Sequence, residues 1–358
     1  MPVQSETCRS FLHGDFARAV QRRRQRRARA GRALVAASAG FVLLLLCAIP
    51  AYLLASAASL PFAGQSPDWA RLGTLFGGSL RATLCALVFA VPVGIAAALF
   101  ATHFCAPRLR DGLRAALELL EAVPTVVLGL IAFATIAPWL ATHVAGVLVA
   151  CVAAPCAWLA LGFAMRMPRR RLGWMPLWGV PLVVAALVAG VLLGAGVGDA
   201  RVAPTSPWNA LLVGIVLGVA TLPTVYAMAD DVLAALPSAQ TQAALALGAT
   251  RWQALVTVAL PAAVSGLIAA VCVAAGRCFG ETMIVLMASG NTPLGGFDWL
   301  GGLRSLSAEL ALELPRSAPS GAAWRELLFV ALLLLATTML LHGAARMMRT
   351  RLRTRSGA

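Results

Sequence analysis

The residues best suited to chemistry stand in an otherwise apolar stretch: Arg277 and Glu281, four positions apart in GRCFGETM. On a helix this spacing puts both side chains on one face, where they can pair. Charged groups at membrane depth are costly and face a polar pathway or a partner rather than lipid. A guanidinium suits an oxyanion there, because its planar fork donates two parallel hydrogen bonds to oxygen. Glu281 would then hold the arginine in place and keep the site neutral between passages. The same pair could instead only fix helix packing, and residue type and spacing leave both readings open. Thr125, directly after Pro124, and Thr282 and Asn291 are further candidates to line such a pathway, although an isolated Thr in a membrane helix commonly bonds its own backbone.

No other constellation supplies chemistry. The chain contains no Lys, so the P-loop lysine that reaches nucleotide phosphates is missing and ATP hydrolysis must reside on another subunit. His13, His103, His143 and His342 are scattered, and no nucleophile–base or metal-ligand spacing emerges. The 8 cysteines include no CxxC pair, and most sit in or beside apolar segments as small hydrophobes. The chain therefore reads as a non-catalytic subunit with no cofactor.

The elements that must position these residues follow from composition. Of 358 residues, 60% are hydrophobic and 12% charged, too little polar surface for a soluble protein of this length. Several apolar runs reach about 20 residues, enough for a helix to cross a hydrocarbon core. The chain reads as an all-α integral membrane protein in contact with lipid, with about eight transmembrane helices. The spans are placed at 33–55, 75–104, 119–140, 144–165, 174–197, 208–228, 264–288 and 327–345. Within them Glu281 is read as the only carboxylate well inside a span.

All 29 basic residues behind the formal charge of +15 are arginine. Nine arginines lie in the basic arm 1–32 and five in the tail 346–358. No aromatic residues interleave with them as a single-strand groove would require, so nucleic acid is not an expected partner. Runs such as Arg169–Arg171 fall on one side of the assigned spans. The other side holds only Arg71, Arg201, Arg304, Arg316 and Arg325. By the positive-inside bias both termini are cytoplasmic.

Between the sixth and seventh spans lies a cytoplasmic segment, 230–261. Pro237 and Pro261 bracket an Ala- and Leu-rich stretch of good helix formers, and Gly248 divides it into two short helices. A helix-turn-helix standing off the membrane is a docking element for another protein, or an ordinary surface loop.

Its residues Gln242, Ala243, Ala244, Gly248, Val258, Leu260 and Pro261 keep the spacing Q-A-A-x₃-G-x₉-V-x-L-P. This resembles the EAA signature of ABC importer permeases. Asp231 to Pro237, ALALGATRWQALVTVALPAA, GRCFGETMIVLMASGN and ELLEAVPTVVLG (Glu118 to Gly129) are similar to the phosphate-specific permeases, the GETM ending to their PstC-type subunit.

The resemblance implies a type I importer transmembrane domain over 70–345, with an extra N-terminal helix and an inserted helix pair, 144–197. It implies a bacterial inner-membrane location and a pathway for inorganic phosphate through Arg277 and Glu281. It also implies a PstA-type second permease, a pair of ATP-binding subunits docked on the EAA loop, and a periplasmic phosphate-binding protein. The signature's leading Glu is Gln242 here. The alternatives are a permease for sulfate, molybdate or tungstate, a secondary carrier, which would carry several midplane carboxylates, or a regulatory membrane scaffold.

A reporter active only in the cytoplasm tests the topology. Fusions after Leu172 and after Ala358 should be active and one after Ser206 silent. Silence after Leu172 would remove the inserted pair from the count.

Overall fold

The computed structural model describes residues 3–58, 68–147, 206–292, 298–318 and 321–356. The chain divides into two compact units, Met1–Ala63 and Gly64–Ala358. The described residues of the first form a single helix, α1 (Val3–Ala58), whose segment Arg27–Ser56 is long and apolar enough to cross a membrane. Leu34, Phe41, Leu44 and Ile49 are exposed along it, as on a helix that meets lipid.

Five more candidate spans occupy the second unit. They are α2 (Trp69–His103), α4 (Thr125–Val147), α5 (Ala210–Ala234), α7 (Arg251–Gly280) and most of α10 (Ala322–Ser356). Between them lie α3 (Pro107–Ala122), α6 (Ser238–Ala246), α8 (Met283–Ala288) and α9 (Leu306–Glu313). Six spans are therefore present among the described residues. The rest of the expected pair at 144–197 lies outside them, beyond Val147.

The expected boundaries differ most plainly at three places. Leu119–Ala122 belongs to α3, because Pro124 has no N–H and pushes Val123 into an extended conformation (φ −65°, ψ 126°). No gap separates 140 from 144. The helix runs on through Thr142, whose hydroxyl donates to the Trp139 carbonyl, and through His143, whose ring stacks on Trp139. The span expected at 264–288 ends at Gly280, breaks at Glu281 and Thr282, and resumes as α8.

The core of this unit is the crossing of α2 and α5. A Cβ added at Gly214 would stand 2.2 Å from the Cβ of Cys85, and one at Gly218 would stand 3.1 Å from the Ala86 carbonyl oxygen. Small residues spaced four apart let two helices approach to backbone contact, the dominant source of helix association in lipid. Asn209 caps α5, its buried Oδ1 accepting the Leu212 N–H at 2.9 Å.

At the far end of α2, the segment 298–316 is clasped by charge. Glu309 is 1% exposed and accepts from Arg71 of α2, while Arg304 pairs with both Glu309 and Glu313. The hydrogen bond from Arg304 holds the Glu313 carboxyl below its usual range. Ser79 of α2 accepts the Leu306 N–H at 2.9 Å. A buried carboxylate between two guanidiniums fixes α9 at this end of α2, and stripping one partner would strand the other charge.

Replacing Gly214 with Ala should cost about 2 kcal/mol of stability, since the clash falls on the fixed Cβ and backbone of Cys85. Gly112→Ala on α3, with open space at its Cβ, should be neutral or stabilising. Thermal unfolding of the detergent-solubilised protein compares them. Equal midpoints for the two variants would contradict the tight crossing.

Candidate functional site

Arg277 stands in the last turn of α7, against the middle of α5. Thr221 of α5 lies 3.2 Å from the Cys278 sulfur, and the Thr224 hydroxyl accepts from Arg277 Nη1 at 2.6 Å. At 1.5 Å per residue, Thr224 is about 15 Å from the C-terminal end of α5 and about 21 Å from its start. The guanidinium therefore sits at mid-depth of a span.

Its acidic partner is not Glu281. Arg277 Nη1 donates to Oε1 of Glu121, brought in by α3 from far along the chain. The expected i, i+4 pair fails because the helix stops at Gly280. Glu281 takes φ −70°, ψ 128°, and its backbone N–H turns back to the Cys278 carbonyl. Among the described residues its carboxylate joins no ion pair, while its carbonyl accepts from Ser307 at 2.8 Å.

Helix α3 runs beside α5 rather than through a loop. Near one end Arg110 donates to Asp230 at 2.7 Å, and Arg114 lies 4.0 Å from the same carboxylate. Asp230 is buried and also accepts from Thr102 at 3.1 Å. Leu113 and Leu117 pack beside Tyr226 and Leu233 of α5. Eleven residues beyond Arg110, about 16 Å along the helix, Glu121 reaches Arg277. Glu281 is thus not the only carboxylate at depth.

Two chain breaks border the cluster. After Val123 and Pro124, α4 starts at Thr125; after Glu281 and Thr282, α8 starts at Met283. The two new helices pack together, and a Cβ at Gly129 would meet the Met283 carbonyl oxygen at 3.2 Å. Thr125 and Thr282 are half-buried at these breaks. Asn291 is occupied elsewhere. At φ +50° it closes α8, its Nδ2 donating to the Leu286 carbonyl at 2.7 Å, a capping geometry that Asn tolerates better than most residues.

Glu121 and Thr224 escaped the sequence reading because their partner is more than 50 positions away. The available signal was a carboxylate three residues before a proline in ELLEAVPT, at a place where a helix must break.

The helix-turn-helix is built from two completed caps. Gly248 has φ +90°; its N–H donates to Leu245 and the Ala249 N–H to Ala244, which closes α6 as a Schellman motif. Two residues on, Thr250 and Gln253 form a capping box that starts α7. Gln242, Ala243 and Gly248 are exposed, Ala244 is half-buried, and Leu247 at the tip is 89% exposed. Asp231, exposed beside buried Asp230, lies in the last turn of α5.

The second helix is not short. It passes through Val258, Leu260 and Pro261 into the span without interruption. A π turn at Leu255–Ala259 widens the backbone just ahead of Pro261, and a second one at Ala132–Ile136 precedes Pro138 in the same way. The wider turn relieves the clash of a proline ring with the preceding carbonyls.

A multi-span helical bundle with ion-paired side chains at mid-depth, broken helices around them and a capped helix-turn-helix beyond its end is built as the membrane component of a transport system. The chain belongs to the family of binding-protein-dependent transport system inner membrane components, whose model matches residues 90–353. It is 32% identical over 280 residues to the phosphate transport system permease protein PstC 2 of Mycobacterium tuberculosis, covering 76% of this chain and 72% of that protein. It is 26% identical over 299 residues to PstC of Mesorhizobium japonicum, covering 82% and 79%. A solved chain of the MetNI methionine ABC transporter matches 79% of this chain and 94% of its own length, at 16% identity and a TM-score of 0.41, a likeness too loose to argue from.

The turn at Gly248 gives a direct test. No atom lies within 4 Å of an added Cβ, so Gly248→Ala meets only the penalty of a positive φ, about 1 kcal/mol. Amide exchange at Ala249 should quicken several-fold in Gly248→Ala and less in Gly248→Asn. Unchanged exchange in the alanine variant would show that the turn does not depend on this conformation.

Proposed function

We propose that the chain is the permease subunit of an ATP-driven ABC importer, forming part of the membrane pathway for inorganic phosphate. The observation that carries this reading is Arg277 at mid-depth beside Thr224 and two helix breaks. An anion in a low-dielectric region needs compensation for its lost hydration, and a guanidinium with a neighbouring hydroxyl supplies charge and hydrogen bonds together. The substrate assignment rests on the names of the relatives. Thr125 and Thr282 stand where the two breaks meet the site and complete the proposed lining.

The helix-turn-helix is the proposed dock for an ATP-binding subunit, with the apolar tip Leu247 and exposed Trp252 as its contact. Both helices holding the Arg277–Thr224 contact lead into this element. α5 ends at Ala234, just before α6, and α7 begins at Arg251, just after the turn. Gln242 contributes no charge to that dock. A second permease subunit would complete the pathway, and a periplasmic binding protein would deliver the anion. Hydrolysis belongs to the ATP-binding pair, and both termini are cytoplasmic in this reading.

Arg277→Gln should lower phosphate uptake by at least tenfold, the loss expected for one charge-assisted interaction of about 1.5 kcal/mol or more. Membrane insertion and co-purification with the ATP-binding subunits should persist. The assay is uptake into proteoliposomes holding the whole importer, normalised to inserted protein; uptake at the parental rate would overturn the site.

A further inference from the structure

Among the described residues the side-chain partners of Arg277 are Glu121 and Thr224, both on Nη1. Of the two, only Glu121 can neutralise it. The side chains of Arg277 and Glu121 are 35% and 44% exposed, so the pair lies on an open face of this chain rather than sealed in its core. Buried ion pairs elsewhere in the protein are different: Asp230 and Glu309 are 4% and 1% exposed and each draws two guanidiniums. Those pairs are structural clasps in which one enclosed carboxylate is shared by two guanidiniums, and of these Arg71, Arg114 and Arg304 also reach further carboxylates. The mid-depth pair is a one-to-one contact, held from α3 and open on one side.

We infer that Glu121 is the resting counter-ion of Arg277, and that an anion enters by taking the place of this carboxylate. The inference rests on the proposed role of Arg277 and adds a selectivity device to it. A doubly charged tetrahedral oxyanion displaces one carboxylate readily, because it brings more charge and several acceptor oxygens to the guanidinium fork. A halide brings one charge and no directed pair of acceptors, so it competes poorly against a carboxylate already in place. Thr224 keeps a hydroxyl beside the guanidinium from α5, and Arg110 on Asp230 keeps α3 fixed to α5 at its opposite end, so an entering anion has only to part Nη1 from its present contacts. Glu121 is therefore a specificity-determining residue: it excludes anions too weak to replace it.

The test is chloride inhibition of ATP-driven phosphate uptake by the complete importer in proteoliposomes. Without the carboxylate the arginine stands uncompensated and takes chloride more tightly. Glu121→Gln should be inhibited at about fivefold lower chloride than the parent, the scale of a partly exposed ion pair. Glu121→Asp, with its carboxylate one methylene further from Nη1, should fall between the two. Parental chloride sensitivity in whichever of these variants inserts would overturn the counter-ion role. If Arg277→Gln transports phosphate normally, the site itself fails, whatever Glu121 does. If Arg277→Gln is inactive and the Glu121 variants keep parental chloride sensitivity, only the present inference fails.

Discussion

A guanidinium at the middle of a membrane span must be compensated, and the surrounding architecture meets that requirement. An unpaired charge at that depth costs several kcal/mol by most measures, so Arg277 needs an acid and a hydrogen-bond acceptor within reach. An unbroken α7 would offer only what lies one turn away along itself. Instead the helix stops at Gly280, and the polar partners come from α3 and α5. For Glu121 to arrive, α3 must run beside α5, and it does so because Leu113 and Leu117 pack there and Arg110 ties to buried Asp230. For α5 to present Thr224, it must lie tight against α2, which the small residues Gly214 and Gly218 permit.

How much of this was legible in the sequence depended on how local each feature is. Apolar length marks α2, α5, α7 and α10, because a span is a property of consecutive residues. The turn at Gly248 was readable for the same reason: a Gly between two helix-forming stretches needs no distant partner, and the positive φ is met within three residues. The Arg277–Glu281 pairing was not. A spacing of four predicts contact only if the helix continues, and Gly280 between Arg277 and Glu281 does not decide the matter, since Gly marks helix ends but is also common inside membrane helices. Pro124 did announce a break, but the acid just before it gains its meaning from residues 103 and 156 positions away. The reach of Pro261 was overestimated for a related reason. A proline reads as a boundary, whereas a π turn ahead of it lets the helix pass.

Two kinds of ion pair coexist, and burial separates them. Glu309 and Asp230 are almost wholly enclosed, and each sits between two arginines that pin a segment to the bundle. Breaking such a pair leaves an unpaired buried charge, so it resists exchange. The Glu121–Arg277 contact is open on one face of the chain, is not enclosed as those are, and loses less when it parts. The enclosed pairs serve as fixed points and the open one is the place where the chain can change partners.

This contrast bears on how a distant event could reach the site. The Arg277 contact is shared by three helices, α3, α5 and α7, so it reads their relative position. A hydrogen bond is lost when donor and acceptor part beyond about 3.5 Å, which makes a displacement of about 1 Å of any one helix sufficient to open it. Of the three, α5 and α7 are joined through the capped helix-turn-helix, and α3 is fixed to α5 at Asp230, four residues before α5 ends. A load on the turn would thus tilt α7 against a pair of helices that move together. Thr224 and Glu121 belong to that pair, and the guanidinium belongs to α7. The line of separation therefore runs between Arg277 and both of its partners, which is the separation an incoming anion requires.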